Sequence, residues 1–253
     1  MLSYQHAYHA GNPADLHKHI VLSELLTLLT RKARPISYME THAGRGLYDL
    51  KSAEAVKTGE AAEGIAKLTL PDCPYSRAIA DIRARHGENA YPGSPMIAQA
   101  LLRDTDRLNL MELHPQEFAA LKHNCNADNT SIHKRDGREG VLAIAPPTPR
   151  KGLVLVDPSY EVKTEYAETA KFAMKLIAKW PEATILIWYP ILPAKNHLDM
   201  LNGLKINLMK DEVSFKLKDG KGMTGSGLIL INHPFGSAEI FDRTRQIGAP
   251  VIR

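Results

Sequence analysis

Five short strand-like runs recur along the chain at intervals that leave room for helices: ISYMETHA (36–43), RLNLMEL (107–113), SIHKRD (131–136), GLVLVDP (152–158) and ATILIWYP (183–190). The stretches between them, such as 115–125 and 164–180, have the length and apolar spacing of amphipathic helices. Strand and helix in alternation predict an α/β fold with a mostly parallel sheet covered by helices on both faces. Near the C-terminus the alternation stops. INLMKDEVSFKL (206–217) and LILINHP (228–234) are separated only by the loop KDGKGMTGSG, which predicts an antiparallel hairpin at one edge and a total of seven strands. Leu16, Ile20, Leu25 and Leu29 predict a helix over 14–33 ahead of the first strand. Residues 50–92 carry helical pieces, EAAEGIAKL and YSRAIADIRARHG, broken by Pro71, Pro74 and Gly87. They are expected to form a helical subdomain inserted into a domain made of 1–49 and 93–253.

Composition narrows the function classes. A chain of 253 residues, 44% hydrophobic and 24% charged, has the make-up of a soluble globular protein. Its longest apolar stretch, IVLSELLTLL (20–29), is interrupted by Ser23 and Glu24, so no membrane span is expected. The opening MLSYQHAYHAGNPADLHKH is polar and histidine-rich where a secretory signal would be apolar, and a cytoplasmic location is expected. Two cysteines, Cys73 and Cys125, provide neither a disulfide framework nor a zinc motif, and no metal is expected. The formal charge of +4 is compatible with a polyanionic partner without requiring one. No heptad seam or exposed apolar stripe is evident, which favours a monomer.

In an open α/β sheet, ligands sit outside the carboxyl ends of the strands, so strand endings carry the information. Here they read THAGRGLYD, MELHP, KRDG and DPSY. Gly44 and Gly46 allow a tight turn and close backbone approach to a ligand, although a plain strand-to-helix turn would use them equally well. Asp49 occupies the place of the third glycine of the dinucleotide fingerprint, which disfavours NAD. Glu112 can accept from both hydroxyls of a ribose. It stands 66 positions after Gly46 (112 less 46), against about 20 in the usual pattern. The excess has the length of the helical insertion. Asp136-Gly137 could meet an adenine, yet Asp-Gly is also a common turn pair.

Asp157-Pro158-Ser159-Tyr160 is the most informative ending. The proline stiffens the backbone and its carbonyl remains free as an acceptor. Together with the Asp157 carboxylate and the Tyr160 ring, it offers two acceptors and a π face, a set that suits an exocyclic amine on a planar base.

The order GNPADLHKH, THAGRG, YPGSP, MELHP, DG and DPSY, with the opening LSYQHAYHAGNPAD and the late GMTGSG, resembles the bacterial 23S ribosomal RNA adenine-N6 methyltransferases of the large ribosomal subunit, over residues 1 to about 234. The resemblance implies a Rossmann-like class I methyltransferase domain that uses S-adenosylmethionine to methylate N6 of an adenine near the peptidyl transferase region of 23S rRNA, naked or early in assembly. It implies cofactor contacts from His19, His42, Ser94, Glu112, Asp136, Gly137 and Asp157, beside the glycine turn of Gly44 and Gly46. Asp157 would also be the proton acceptor, acting with Pro158 and Tyr160, and Tyr4 would touch the RNA. Lys18, Arg45 and Lys221 are candidate phosphate contacts, and His17 is left without a role. The chain departs from the family at Ser159, where a second proline is usual, and at Pro13, which is acceptable just ahead of a helix. Two other function classes stay open: a DNA-directed protein, either an adenine methyltransferase or a factor for using external DNA, and a cofactor-binding protein without activity.

Overall fold

The computed structural model describes residues 5–216 and 222–253. Tyr4 and Lys221 lie outside them. The seven-stranded sheet has the order β5 (Thr130–His133), β4 (Arg107–Met111), β1 (Ser37–Glu40), β6 (Gly152–Val156), β7 (Thr184–Ile191), β9 (Gly225–Ile231) and β8 (Leu208–Ser214). The first five of these are parallel to one another, and β9 runs antiparallel to both β7 and β8. β1 and β4, successive strands of this sheet along the chain, lie side by side, while β6 joins the other side of β1. The order therefore reverses at β1, and this is the Rossmann-like α/β architecture, with its ligand crevice at the reversal.

Alternation along the strands divides the core in two. Leu153 and Leu155 face α1 (Pro13–Thr30), α5 (Ser94–Leu101), α6 (Pro115–Asn124) and α10 (Ser237–Gly248), whose Leu22, Met96, Leu121 and Phe241 belong to the same cluster. Val154 and Val156 face α7 (Gly137–Ile144), α8 (Thr164–Lys179) and α9 (His197–Gly203) through Val141, Leu176 and Met200. A period of two on a sheet buried on both sides requires the unbroken apolar run seen in the sequence.

The glycine-rich stretch expected as a loop is partly strand. β9 starts at Gly225, and at Gly227 a Cβ would fall 2.0 Å from the Tyr189 ring, so that ring packs on the backbone of its neighbour. Residues 50–92 hold α2 (Ala53–Thr58), α3 (Glu60–Glu63), a short 3-10 turn and α4 (Pro74–His86). They are bracketed by a ribbon of β2 (Leu47–Asp49) and β3 (Ala90–Pro92) that the sequence reading did not anticipate. Ile65, Tyr75 and Ile79 of this segment share one cluster with Leu16 and Ile20 of α1 and Ile97 of α5. The segment is thereby seated on the N-terminal helix.

Asn12 caps α1 by accepting from the Asp15 amide at 2.9 Å, with Pro13 at the first helical position, where a missing N–H costs nothing. Among the described residues, no helix is long and apolar enough to cross a membrane, and no group of three or more His, Cys, Asp or Glu side chains is arranged to hold a metal.

Candidate active site

A pocket of about 510 Å³ opens at the carboxyl ends of β1, β4 and β6, between residues of the N-terminal segment and the turn after β6. That volume lies within the ~300–1,000 Å³ typical of small-ligand sites. His19, His42, Gly44, Ser94, Glu112, Asp136, Gly137, Asp157, Pro158, Tyr160 and Lys18 all line it. Residues as far apart in the chain as Lys18 and Tyr160, 142 positions (160 less 18), thus meet in one cavity. Gly46 does not line it. Its φ of +76° turns the chain behind Gly44, and a Cβ there would lie 3.0 Å from the Cys125 sulfur.

One half of the pocket is built for close approach to backbone. Gly44, at φ +62°, donates its amide to Glu112 Oε2 at 2.8 Å, and the His114 amide donates to Glu112 Oε1 at 2.7 Å. Burial raises the Glu112 pKa against these two bonds. Asp136 caps α7 by accepting from the Glu139 amide at 2.9 Å. Gly137 follows, pressed against β1 so closely that a Cβ would fall 1.7 Å from the Thr41 carbonyl oxygen. His42 shares a hydrogen bond of 2.8 Å with Thr41 Oγ1; burial, with Arg138 nearby, pushes its pKa down to about 4, so the ring is neutral near pH 7. This half of the pocket therefore presents glycine backbone beside a carboxylate whose two oxygens accept from backbone amides.

The other half is charged. Lys18 extends from α1 to place Nζ 2.7 Å from Asp157 Oδ2 and 3.2 Å from Asp15 Oδ1. Burial opposes its charge, yet Asp157 and Asp15 outweigh burial and hold the ammonium above the ordinary lysine range. Lys18, a candidate phosphate contact from the sequence, lines the pocket as the buried partner of two carboxylates. Asp15 is also buried, and His6, Lys18 and His19 more than offset the desolvation, leaving its pKa well below the usual carboxylate value.

Tyr160 has φ +54°, a left-handed conformation that costs a non-glycine residue roughly 1–3 kcal/mol. Its hydroxyl donates to the Trp188 carbonyl at 2.9 Å, and its ring lies 4.4 Å from that of Tyr166. The ring is therefore fixed, at 5% exposure, on the pocket wall. Ser159 Oγ sits 3.5 Å from the Glu161 amide.

His19 is packed beneath the pocket with Nδ1 3.1 Å from the Tyr91 hydroxyl; burial pushes its pKa down to about 3. His17 points away, toward Ser226 and Asp211 at 3.0 and 3.1 Å, and ties α1 to the β8–β9 hairpin. Arg45 pairs with Glu117 through two contacts, of 2.9 and 2.6 Å. The segment before α1 is clasped by the insertion: Glu60 meets His9 at 2.9 Å and Asn12 at 3.0 Å, and the Ile65 amide donates to the Gly11 carbonyl at 2.9 Å.

Sequence reasoning passed over Glu40. This fully buried carboxylate accepts from the Tyr38 hydroxyl and, at 3.2 Å, from Ser94 Oγ, directly behind the pocket. Burial pushes its pKa up to about 8. An acid in the middle of ISYMETHA was the available signal, since a strand buried on both faces has no bulk water to receive a charge.

Comparison with known proteins agrees with this geometry. The family described as Ribosomal RNA large subunit methyltransferase D, RlmJ, matches residues 33–248. The Ribosomal RNA large subunit methyltransferase J of Escherichia coli K12 is 37% identical over 247 residues, covering 93% of this chain and 88% of that protein. Its Haemophilus influenzae counterpart is 38% identical over 248 residues, with the same coverage. A crystallised Legionella pneumophila protein superposes with a TM-score of 0.83 at 33% identity, covering 96% of this chain and 95% of the other. The chain belongs to the RlmJ family of ribosomal RNA large subunit methyltransferases.

Proposed function

We propose that this protein methylates N6 of an adenine in 23S rRNA with S-adenosylmethionine as donor, and that the Asp157-Pro158-Ser159-Tyr160 turn holds the target amine. The observation that carries the reading is the placement of Asp157 and Pro158 in the same pocket as Gly44, Glu112, Asp136 and Gly137. The latter four would hold the nucleoside part of the cofactor. His42 and Ser94 line the same wall, and His19 lies at its base. When bound, S-adenosylmethionine supplies an electrophilic methyl carbon on a sulfonium sulfur that leaves with the bonding electron pair.

The lone pair of N6 is delocalised into the purine, so the amine is a weak nucleophile. Hydrogen bonds from its two protons to the Asp157 carboxylate and the Pro158 carbonyl favour a pyramidal nitrogen with its lone pair free to attack. Lys18 fixes the carboxylate through Oδ2, and this leaves Oδ1 for the amine. As the new N–C bond forms, the nitrogen becomes acidic and its proton passes to Asp157. Positioning supplies most of the rate, because the residues need only align one in-line displacement. Tyr160 offers its ring face to the base; stacking of this kind contributes roughly 1–3 kcal/mol. Asp157 lies within a pocket, so the adenine must leave any helical stack to reach it. That requirement supports naked or early-assembly rRNA as substrate. Nucleoside analysis of rRNA incubated with enzyme and donor tests the reading: N6-methyladenosine is expected, and a different methylated nucleoside would refute it.

A further inference from the structure

At the end of the sheet opposite the pocket, cations gather. Segments 31–34, 103–107 and 150–151 converge where β4, β1 and β6 begin: the Arg107 amide donates to the Ile36 carbonyl at 3.0 Å and the Ser37 amide to the Lys151 carbonyl at 2.9 Å. Arg103 organises the loop before β1, donating to the carbonyls of Thr30, Lys32 and Arg34 at 3.3, 2.8 and 3.0 Å. Asp106, fully buried, locks that guanidinium at 2.8 and 2.9 Å and accepts the Ile36 amide at 2.8 Å.

On this fixed loop Arg31, Lys32 and Arg34 are exposed. Among the described residues these three, with Arg107 and Lys151, have no carboxylate partner, whereas Arg103 and Arg150 pair with Asp106 and Glu182. Burial, and then Arg34 and Lys32 against an opposing pull from Glu182, lower the Lys151 pKa.

The three segments with Glu182 contain seven cationic side chains and three carboxylates. The excess of four equals the formal charge of the whole chain, so the remainder is balanced. Concentrating like charge on one rigid face costs stability unless a polyanion receives it. No large apolar side chain is exposed within these segments, which suits a phosphate backbone better than a bilayer or an apolar protein surface. Arginine forks match phosphate geometry.

We propose that this face, centred on Arg31, Lys32 and Arg34, binds the phosphodiester backbone of the rRNA substrate as an anchoring surface separate from the methyl-transfer pocket. The proposal rests on the rRNA reading above. Six residues of extended chain separate Lys151 from Asp157, so the two surfaces stand about 20 Å apart. Only a substrate longer than the target loop would engage both.

The test compares wild type, R31A/K32A/R34A and the charge-matched control K171A/K175A/K205A, whose lysines are exposed elsewhere. Binding to large-subunit rRNA fragments is measured over a range of salt, and methyl transfer to the same RNA is measured separately. The expected result is a salt slope reduced by about 2–3 and a KM raised about tenfold in the patch variant, with kcat and cofactor binding unchanged and the control like wild type. Equal slopes and KM for wild type and patch variant would overturn the proposal, as would an equal loss in the control. Failure of wild type to methylate rRNA would instead overturn the functional reading, while the binding slopes still decide the patch.

Discussion

In the proposed reaction Asp157 does two things, accepting hydrogen bonds from an amine and taking its proton. Asp157→Asn keeps the shape and removes the base, and kcat is expected to fall at least about a hundredfold in labelled-methyl transfer. Glu40 gives a prediction of a different kind. Its pKa of about 8 in the fold exceeds the unfolded value, about 4.3. The native state therefore holds an extra proton between these values, so the stabilisation from this group is complete at low pH and is lost progressively as pH rises to and through about 8. Glu40→Gln mimics the protonated form. Relative to wild type, this variant should gain stability by about 1 kcal/mol per pH unit between roughly pH 5 and 8, with the difference level above that range, as read by denaturation at each pH. His19 and His42 act in the opposite sense. With pKa values depressed to about 3 and about 4, they contribute stability above the unfolded histidine value that is lost as pH falls toward those values. Replacing either with Gln should flatten the acid limb of the stability curve.

At the scale of elements, the sheet was legible because strands buried on both faces read as near-continuous apolar runs, as GLVLV and ILIW do. The edge hairpin was legible for a different reason, the lack of any helix-forming stretch between 217 and 228. The boundaries of β9 were not, because Gly225 and Gly227 read as loop residues until Tyr189 is seen lying on Gly227, and Ile191 and the Val213 carbonyl against Gly225. The β2–β3 ribbon escaped notice since three-residue strands carry no period, and α10 because its amphipathic face, Ile240, Phe241 and Thr244, follows the last motif. In the site, strand-end residues were legible from position alone. The Lys18 to Asp157 pair was not, for it joins residues 139 apart through a helix that has no strand-end rule. Gly137 tests how the elements bear on the site. Gly137→Ala would force α7 away from Thr41, and both a loss of at least about 2 kcal/mol in stability and a loss of cofactor binding are expected by denaturation and titration. Wild-type affinity in the variant would show that α7 does not shape the pocket.

On the two proposals above, the molecule divides its labour along the strand axis, with the pocket where strands end and the basic face where they begin. A sheet buried on both sides is a stiff spacer between the two, and stiffness is what a two-point grip on a long RNA requires. The decisive assay is transfer of labelled methyl from S-adenosylmethionine to deproteinised 23S rRNA, intact large subunits and adenine-containing duplex DNA, with the Asp157→Ala variant alongside. Label is expected in N6-methyladenine of the naked rRNA, and none with the variant. Cofactor binding without transfer to any rRNA, or label appearing in DNA alone, would contradict the proposed function.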